Sequence, residues 1–294
     1  MSEQNVNMPE ARERIAKIVE DTDSLPSLPT IVMKLIDVVN SAESSAEDAA
    51  ELIEKDPALT TKMIRLANSA FYGIPRSISS VTSAVVVLGF NTIRSLVLSA
   101  SVAKIFEGKH SLDMDRFWKH SVVTAMASKI IVRHLMSVRM MDPESAFCAG
   151  VLHDIGKLIF SQYMADDYAT VCDYAKEHKV PLIEAENKCL GFNHAEMGKI
   201  LADRWSLPLD LEYTIVHHHG PENADKVSHL ANIIHLADII SHDVGCNLWD
   251  DEVRVQESAQ CRAELKIGDA DFEKIMSNIE NSLDKSQEFL AILK

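Results

Sequence analysis

A chain of 294 residues with 47% hydrophobic and 25% charged residues is globular, and its size suits one large domain or two ordinary ones. Its formal charge of −15 is uneven: residues 1–109 carry 11 Lys and Arg against 14 Asp and Glu, residues 110–294 carry 18 against 30. Such a surface repels phosphate backbones, which argues against nonspecific nucleic-acid binding, and only ten glycines and nine prolines leave helices favoured throughout.

The N-terminal stretch M-S-E-Q-N-V-N-M-P-E-A-R-E-R has no apolar core, so no signal peptide is expected. No apolar run approaches the roughly 20 residues of a membrane span. The longest candidate, Val81 to Phe106, is interrupted by Asn91, Arg94 and Lys104. A membrane partner is therefore not expected. Cys148, Cys172, Cys189, Cys246 and Cys261 form no CxxC pair; this odd, scattered set reads as buried thiols in a reducing cytoplasm.

In chain order, residues 1–8 are expected to be mobile, and residues 1–23 form a lead-in with a short amphipathic helix from Glu10 to Glu20. Residues 24–107 are read as a first helical lobe. Pro29 fits the first turn of a helix through Ile31, Leu35, Ile36 and Val39. Ser45 caps the next, with Glu47 and Asp48 at its positive end. Asp56-Pro57 opens a further helix with Leu59, Met63, Ile64, Leu66 and Ala67 on its apolar side. The outline from Ala46 to Asn68 overlaps a DNA-binding helix-turn-helix. Its second helix offers only Lys62 and Arg65 as basic groups, however, so the electrostatics oppose that use. Ser80 starts a helix ending at Gly89, and Asn91 to Phe106 is apolar nearly all round, which predicts burial.

Glu107 to Asp113 is the expected boundary, and residues 113–294 are read as a second helical lobe. Helices are predicted near 115–137, 143–164, 165–178, 181–188, 193–204, 208–219, 226–243 and 271–290. Gly150 and Gly156 fall inside the second of these, where glycine costs about 1 kcal/mol relative to alanine. Close packing or a ligand would account for them. The fold class expected is all-α.

Histidine carries the chemistry. His120 lies in F-W-K-H-S, His153 and Asp154 in A-G-V-L-H-D-I-G-K, and His194 in G-F-N-H-A-E-M-G. His217, His218 and His219 are consecutive, and Asp238 lies in H-L-A-D. Imidazole and carboxylate together suit first-row transition metals, and a carboxylate can bridge two of them. Water held between two such ions becomes a nucleophile for phosphate esters. Lys157, one helical turn after His153-Asp154, would neutralise phosphate charge. The spacing from Pro208 favours His218 and His219 as the inward pair. His235 either supports the site or packs, and His110, His134, His178, His229 and His242 read as surface residues.

The ordered string resembles the HD superfamily, in which a His, an adjacent His-Asp pair and a distal Asp bind metal. The resemblance implies His120, His153, Asp154 and Asp238 as ligands. The HD-GYP branch adds three histidines, matched by His194, His218 and His219, and a phosphate-facing lysine, matched by Lys157. This chain departs from that branch twice. Arg116 stands where the branch can have a third-site carboxylate, and its guanidinium could serve as a phosphate contact instead. The Gly-Tyr-Pro loop is replaced by H-H-H-G-P-E-N-A-D, which argues against recognising cyclic di-GMP in that manner.

The first half resembles the HDOD family, the HD-related output domains. The resemblance rests on L-P-S-L-P, on D-P-A-L-T-T-K-M-I-R-L-A-N-S-A-F-Y-G and on I-S-S-V-T-S-A-V-V-V-L-G, and runs from about residue 24 to about 245. It implies a bacterial regulatory output domain whose second lobe is an HD-like bundle. On that basis the expected function is a scaffold for other signalling proteins that holds a divalent transition metal, iron or manganese, without turnover. The alternative is a working metal-dependent phosphohydrolase. In Leu66–Gly73, Asn68 and Ser69 either bind a partner or end the helix, while Phe71 and Tyr72 staple the two halves together with the tyrosine hydroxyl reaching water.

Overall fold

Helices supply the regular structure of the computed structural model, which describes residues 8–21, 25–41, 44–135 and 141–293; no strand occurs among these described residues. The chain is all-α. The first half contains α1 (Met8–Glu20), α2 (Thr30–Asn40), α3 (Ala46–Ile53), α4 (Pro57–Ala67), α5 (Val81–Leu88) and α6 (Phe90–Ile105). Next come α7 (Met114–Leu135), α8 (Pro143–Leu152), α9 (Ile155–Tyr163), α10 (Ala165–His178), α11 (Leu182–Cys189), α12 (His194–Arg204) and α13 (Leu209–His217). A single 3₁₀ turn, Pro221–Asn223, precedes α14 (His229–Asp243), α15 (Cys261–Leu265), α16 (Asp269–Glu280) and α17 (Leu283–Leu293). The expected mobility of residues 1–8 concerns a stretch outside the described residues except for Met8, which opens α1.

Local chemistry sets the boundaries. The Ser45 hydroxyl accepts from the Asp48 amide while the Asp48 carboxylate accepts from the Ser45 amide, a reciprocal cap on α3. Asp56 accepts from the Ala58 and Leu59 amides ahead of Pro57. Gly89, at φ 85°, both closes α5 and opens α6, a left-handed conformation that suits glycine.

Helix α6 is the seam of the molecule. It lies against α2, α4 and α5 and also against α8 and α17, and it buries an unbroken run from Ser95 to Ala103. On α5, by contrast, Val86 and Val87 are 71% and 52% exposed. The C-terminal helix α17 returns to the first half and packs on α4. There the Lys62 ammonium donates to the Leu293 carbonyl at 2.8 Å. One of the two basic groups of the helix-turn-helix outline is thus already engaged.

The Leu66–Gly73 stretch ends α4 and ties the halves. Asn68 donates to the Ile64 and Ile78 carbonyls and accepts from the Ile78 amide, and Ser69 donates to the Leu66 carbonyl. Both side chains are therefore spent on the backbone. The Phe71 ring packs 5.4 Å from Phe147 of α8 and 5.2 Å from Phe289 of α17. Buried Lys129 of α7 is ion-paired with Glu144 and faces the Phe71, Tyr72 and Phe147 rings. The Tyr72 hydroxyl does not reach water: it is buried with no hydrogen-bond partner, and burial together with the Glu144 charge pushes its pKa up.

The sequence pattern merged elements that the backbone separates. The predicted helix over 143–164 breaks at His153-Asp154 into α8 and α9, and that over 271–290 breaks into α16 and α17. α15 was not foreseen. Gly150 sits where α8 crosses α7, and a Cβ there would lie 2.4 Å from the Ala125 Cα. Close packing is thus the reason for this glycine.

All five cysteines are free and buried, and burial pushes the Cys148 thiol up to about 11 and those of Cys172 and Cys261 up to about 12. A thiol reagent at neutral pH should leave all five unmodified in the folded chain and modify all five in denaturant. Gly150→Ala should lower the unfolding free energy by about 1–3 kcal/mol, read from urea denaturation, because the clash is with backbone that cannot swing aside.

Candidate metal centre

The helix break at His153-Asp154 is what builds the centre. With α8 ended at Leu152, both side chains turn into the bundle, and each is fully buried. Gly156, in the first turn of α9, then meets the first residue of α12. A Cβ on Gly156 would lie 1.9 Å from the His194 carbonyl oxygen, so only glycine lets His194 come beside Asp154. The start of α12 is fixed by a reciprocal cap between Asn193 and Glu196. His218 and His219 follow the last turn of α13, His120 comes from α7 and Asp238 from α14.

These side chains form two adjoining groups that could each hold a metal ion: His120, His153 and Asp238, and Asp154, His194, His218 and His219. Within each, the ligand atoms lie within 4.8 Å of one another. Asp154 stands between them. Its Oδ2 is 3.3 Å from His153 Nε2 and 3.6 Å from His120 Nε2, while its Oδ1 is 3.3 Å from His194 Nε2 and 3.6 Å from His218 Nε2. Asp238 spans in the same way, with Oδ1 3.1 Å from His120 Nε2 and Oδ2 3.7 Å from His219 Nδ1.

Four rings are oriented from behind. Nδ1–H of His120 donates to the Cys246 carbonyl, that of His153 to Gly150 and that of His218 to Ile215, at 2.9, 2.7 and 2.7 Å. His194 Nδ1 lies 2.6 Å from Glu186 Oε2, which also accepts the His194 amide. A neutral imidazole has one N–H, so each Nε2 presents a lone pair to the centre. The Nε2 atoms of His120 and His153 then face each other at 3.3 Å, which is repulsive unless a cation or proton intervenes. Burial opposes a proton on His120, but Asp238 outweighs it and raises the pKa. In the second group His194 Nε2 and His219 Nε2 share a hydrogen bond at 2.9 Å, but Asp154 Oδ1, His218 Nε2 and His219 Nδ1 are all buried without a hydrogen-bond partner. Burial, together with the neighbouring His218 and His194, holds the His219 pKa well below its ordinary value, so a proton is not its answer. The donor set fits a cation.

Lys157 is buried and its ammonium bonds Asp154 Oδ2 at 2.6 Å. Burial disfavours its charge, but Asp154, Glu252 and Asp238 override that and raise its pKa. Burial also works against the Asp154 carboxylate, yet His153 and Lys157 hold it well below the usual range. Lys157 belongs to α9, beyond the break, rather than to the same helix as His153.

Glu186 escaped sequence reasoning, His242 and Arg116 were misread, and His235 takes the first of its two expected roles. Glu186 is fully buried, orients His194 and accepts the Tyr168 hydroxyl at 2.7 Å. Its only sequence signal is a lone acid on the apolar side of α11. His242 is not a surface residue: its ring packs 5.0 Å from that of His120, and its Nε2 is 3.6 Å from Asp238 Oδ1. It lies one helical turn after Asp238, on the same face. His235 supports the site from behind, since its Nδ1–H donates to the His218 carbonyl and its Nε2 accepts from the Ser258 amide. Arg116 bonds Asp250 at 2.9 Å and does not line the cavity beside the centre, so it is not a phosphate contact in this structure.

The HDOD domain pattern matches residues 25–221. The chain is similar to an HDOD domain protein of unknown function from Geobacter sulfurreducens, with 26% identity and a TM-score of 0.80 over 98% of both chains. It is similar to a Shewanella amazonensis SB2B protein provisionally named a phosphohydrolase, with 27% identity and a TM-score of 0.76 over 96% of this chain and 98% of that one. An uncharacterized protein of Treponema pallidum (strain Nichols) shares 23% identity over 72% of this chain. The chain spans 40% of the length of that relative.

Gly156→Ala should force α12 off α9 and lower the unfolding free energy by about 2 kcal/mol or more. Glu186→Ala should leave the His194 N–H and the Tyr168 hydroxyl unpaired. Manganese affinity, followed by calorimetry, is expected to fall about tenfold or more.

Proposed function

The chain belongs to the HDOD family, and from that premise we propose that it is a signalling output domain built around a metal-holding HD-type centre, serving other signalling proteins as a scaffold rather than as a catalyst. The observation that carries the metal is the set of three partnerless buried ligand atoms in one group, Asp154 Oδ1, His218 Nε2 and His219 Nδ1. In this reading His120, His153 and Asp238 hold one ion, His194, His218 and His219 hold the other, and Asp154 is shared. Five imidazoles favour iron or manganese over calcium, which seeks oxygen. The proposed setting is cytoplasmic, supported by five free buried thiols and by the lack, among the described residues, of a helix long and apolar enough to cross a membrane.

The scaffold reading draws on the cavity beside the centre. It measures about 10 Å³, room for about one water molecule. A cyclic dinucleotide does not fit a space of that size. A larger dent of about 60 Å³, between Pro221 and Glu264, contains none of the ligand residues.

A second reading, a metal-dependent phosphohydrolase, is supported by Lys157 at that cavity and by the name of the Shewanella relative. Bound cations would supply Lewis acidity toward a phosphoryl oxygen. The chain's own contribution would be Lys157, whose ammonium can pair with a phosphate oxygen, and Asp154 and Asp238, which hold the imidazoles in register.

Metal analysis of protein purified without chelator from metal-replete cultures should find one or two iron or manganese ions per chain. Asp154→Ala should reduce that to substoichiometric levels, and equal traces in both proteins would defeat the metal assignment. With manganese or iron added, a panel of cyclic dinucleotides, nucleotides and a chromogenic phosphodiester should show no turnover. Turnover that vanishes in folded His153→Ala and Asp154→Ala would establish the enzyme instead.

A further inference from the structure

The cavity beside the centre is walled on one side by the chain's own strap, residues 247–258, which runs without helix between α14 and α15. Lys157, His194, His219, Asp238 and His242 form its floor, Pro181–Ile183 one wall, and Glu252–Val255 the other. Several contacts hold the strap down. Leu248 is buried, and Trp249 lies under the Lys176 ammonium at 5.2 Å. Arg254 bonds Asp243 at 2.8 Å, and the Ser258 amide bonds His235. Asp251 takes a left-handed conformation, φ 59°, one residue before the strap turns inward. The consequence is a sharp contrast in exposure: the Asp250 side chain is 89% exposed and that of Glu252 is 3% exposed.

Glu252 is a third carboxylate brought to a centre that already buries Asp154 and Asp238. Like charges gathered in this way repel, so its position needs compensating cations. Lys157 and His242 line the same cavity, and His242 Nδ1 lies 3.9 Å from Glu252 Oε2. The Glu252 Oε2 accepts the Leu248 amide at 2.6 Å, which fixes the carboxylate from the strap side. A carboxylate and a phosphate offer the same chemistry to an ammonium, namely anionic acceptor oxygens. The space left over admits about one water, so both anions cannot be present together.

We propose that Glu252 is a built-in competitor for a phosphate-bearing ligand: the strap seats its carboxylate beside His242 in the cavity that Lys157 also lines, and a phosphate group enters only by displacing Glu252 and lifting residues 247–258. The inference rests on reading the centre as one that takes phosphate groups. It makes Glu252 a specificity-determining residue, because an anion too weakly charged to replace it stays out. Contacts of the strap at Trp249 and Arg254 then set how readily the centre opens.

The test uses the full chain with inorganic phosphate as probe, with and without manganese, and metal content measured on the same samples. Hydrogen exchange of 247–258 amides should accelerate on adding phosphate to the wild type. Glu252→Gln keeps an acceptor for the Leu248 amide and removes the charge, so it should bind phosphate about tenfold tighter by calorimetry. Lys157→Met should abolish both effects. The proposal is overturned if Glu252→Gln binds phosphate no more tightly and strap exchange in the wild type is indifferent to phosphate. Missing metal in the same samples would count against the metal centre alone, since the contest between Glu252 and phosphate for this cavity is also read without manganese.

Discussion

The buried Asp154 carboxylate is the constraint on which the rest of the structure turns. An ionised carboxylate with no exposure is costly unless it is surrounded by groups that favour its charge. Lys157 supplies part of that surrounding, and a cation held among the imidazoles of His120, His153, His194 and His218 would supply the rest. They come from four helices and one break, so satisfying Asp154 means bringing α7, α9, α12 and the end of α13 to one point. Gly150 and Gly156 are the packing counterpart of this demand: α8 lies close on α7, and α12 close on α9, only where a side chain is missing. Electrostatics asks for the convergence, and the two glycines make it sterically possible.

The same centre is connected outward by ordinary packing. His153 hangs from the Gly150 carbonyl on α8, and α8 also carries Phe147, whose ring meets Phe71 and Phe289. Through that aromatic cluster α8 touches the α4–α5 loop and the returning helix α17. A cation at the centre would add its binding free energy to folding, and these contacts place its effect on the same core that holds the first-half helices. Buried Lys129 and Glu144, with the Tyr72 hydroxyl and one Glu144 oxygen lacking partners, mark this junction as polar and less than fully satisfied.

Much of this was legible beforehand. Helix composition, the Ser45 and Asp56 caps and the burial of α6 follow from residue chemistry that acts within a few positions. The seven His and Asp positions were legible because their order is specific, although their convergence is a matter of tertiary packing. What misled was locality. The apolar run from 143 to 164 has nothing at His153-Asp154 that stops a helix by propensity; the break is imposed by the bundle. His242 read as surface because it follows Asp238 by one turn near a helix end, and the strap that covers it has no periodicity to announce it. Glu186 was invisible for a related reason: a single acid on an apolar face has meaning only once His194 is known to lie beside it.

The strap resolves a tension between the centre and its surroundings. A full set of ligands, oriented from behind by carbonyls and by Glu186, is the arrangement expected where cation geometry matters. A cavity of about 10 Å³ is the arrangement expected where nothing larger than water is admitted. Both hold at once because the ligands belong to packed helices, while the covering belongs to a segment without helical hydrogen bonds. Helices α7, α9, α12 and α14 cannot part without exposing the core. Residues 247–258 can move by giving up a few side-chain contacts, Arg254 with Asp243 and Ser258 with His235 among them. Rigidity at the histidine and aspartate side chains and freedom at the cover are therefore properties of different stretches of chain, joined where the Ser258 amide bonds His235 behind His218.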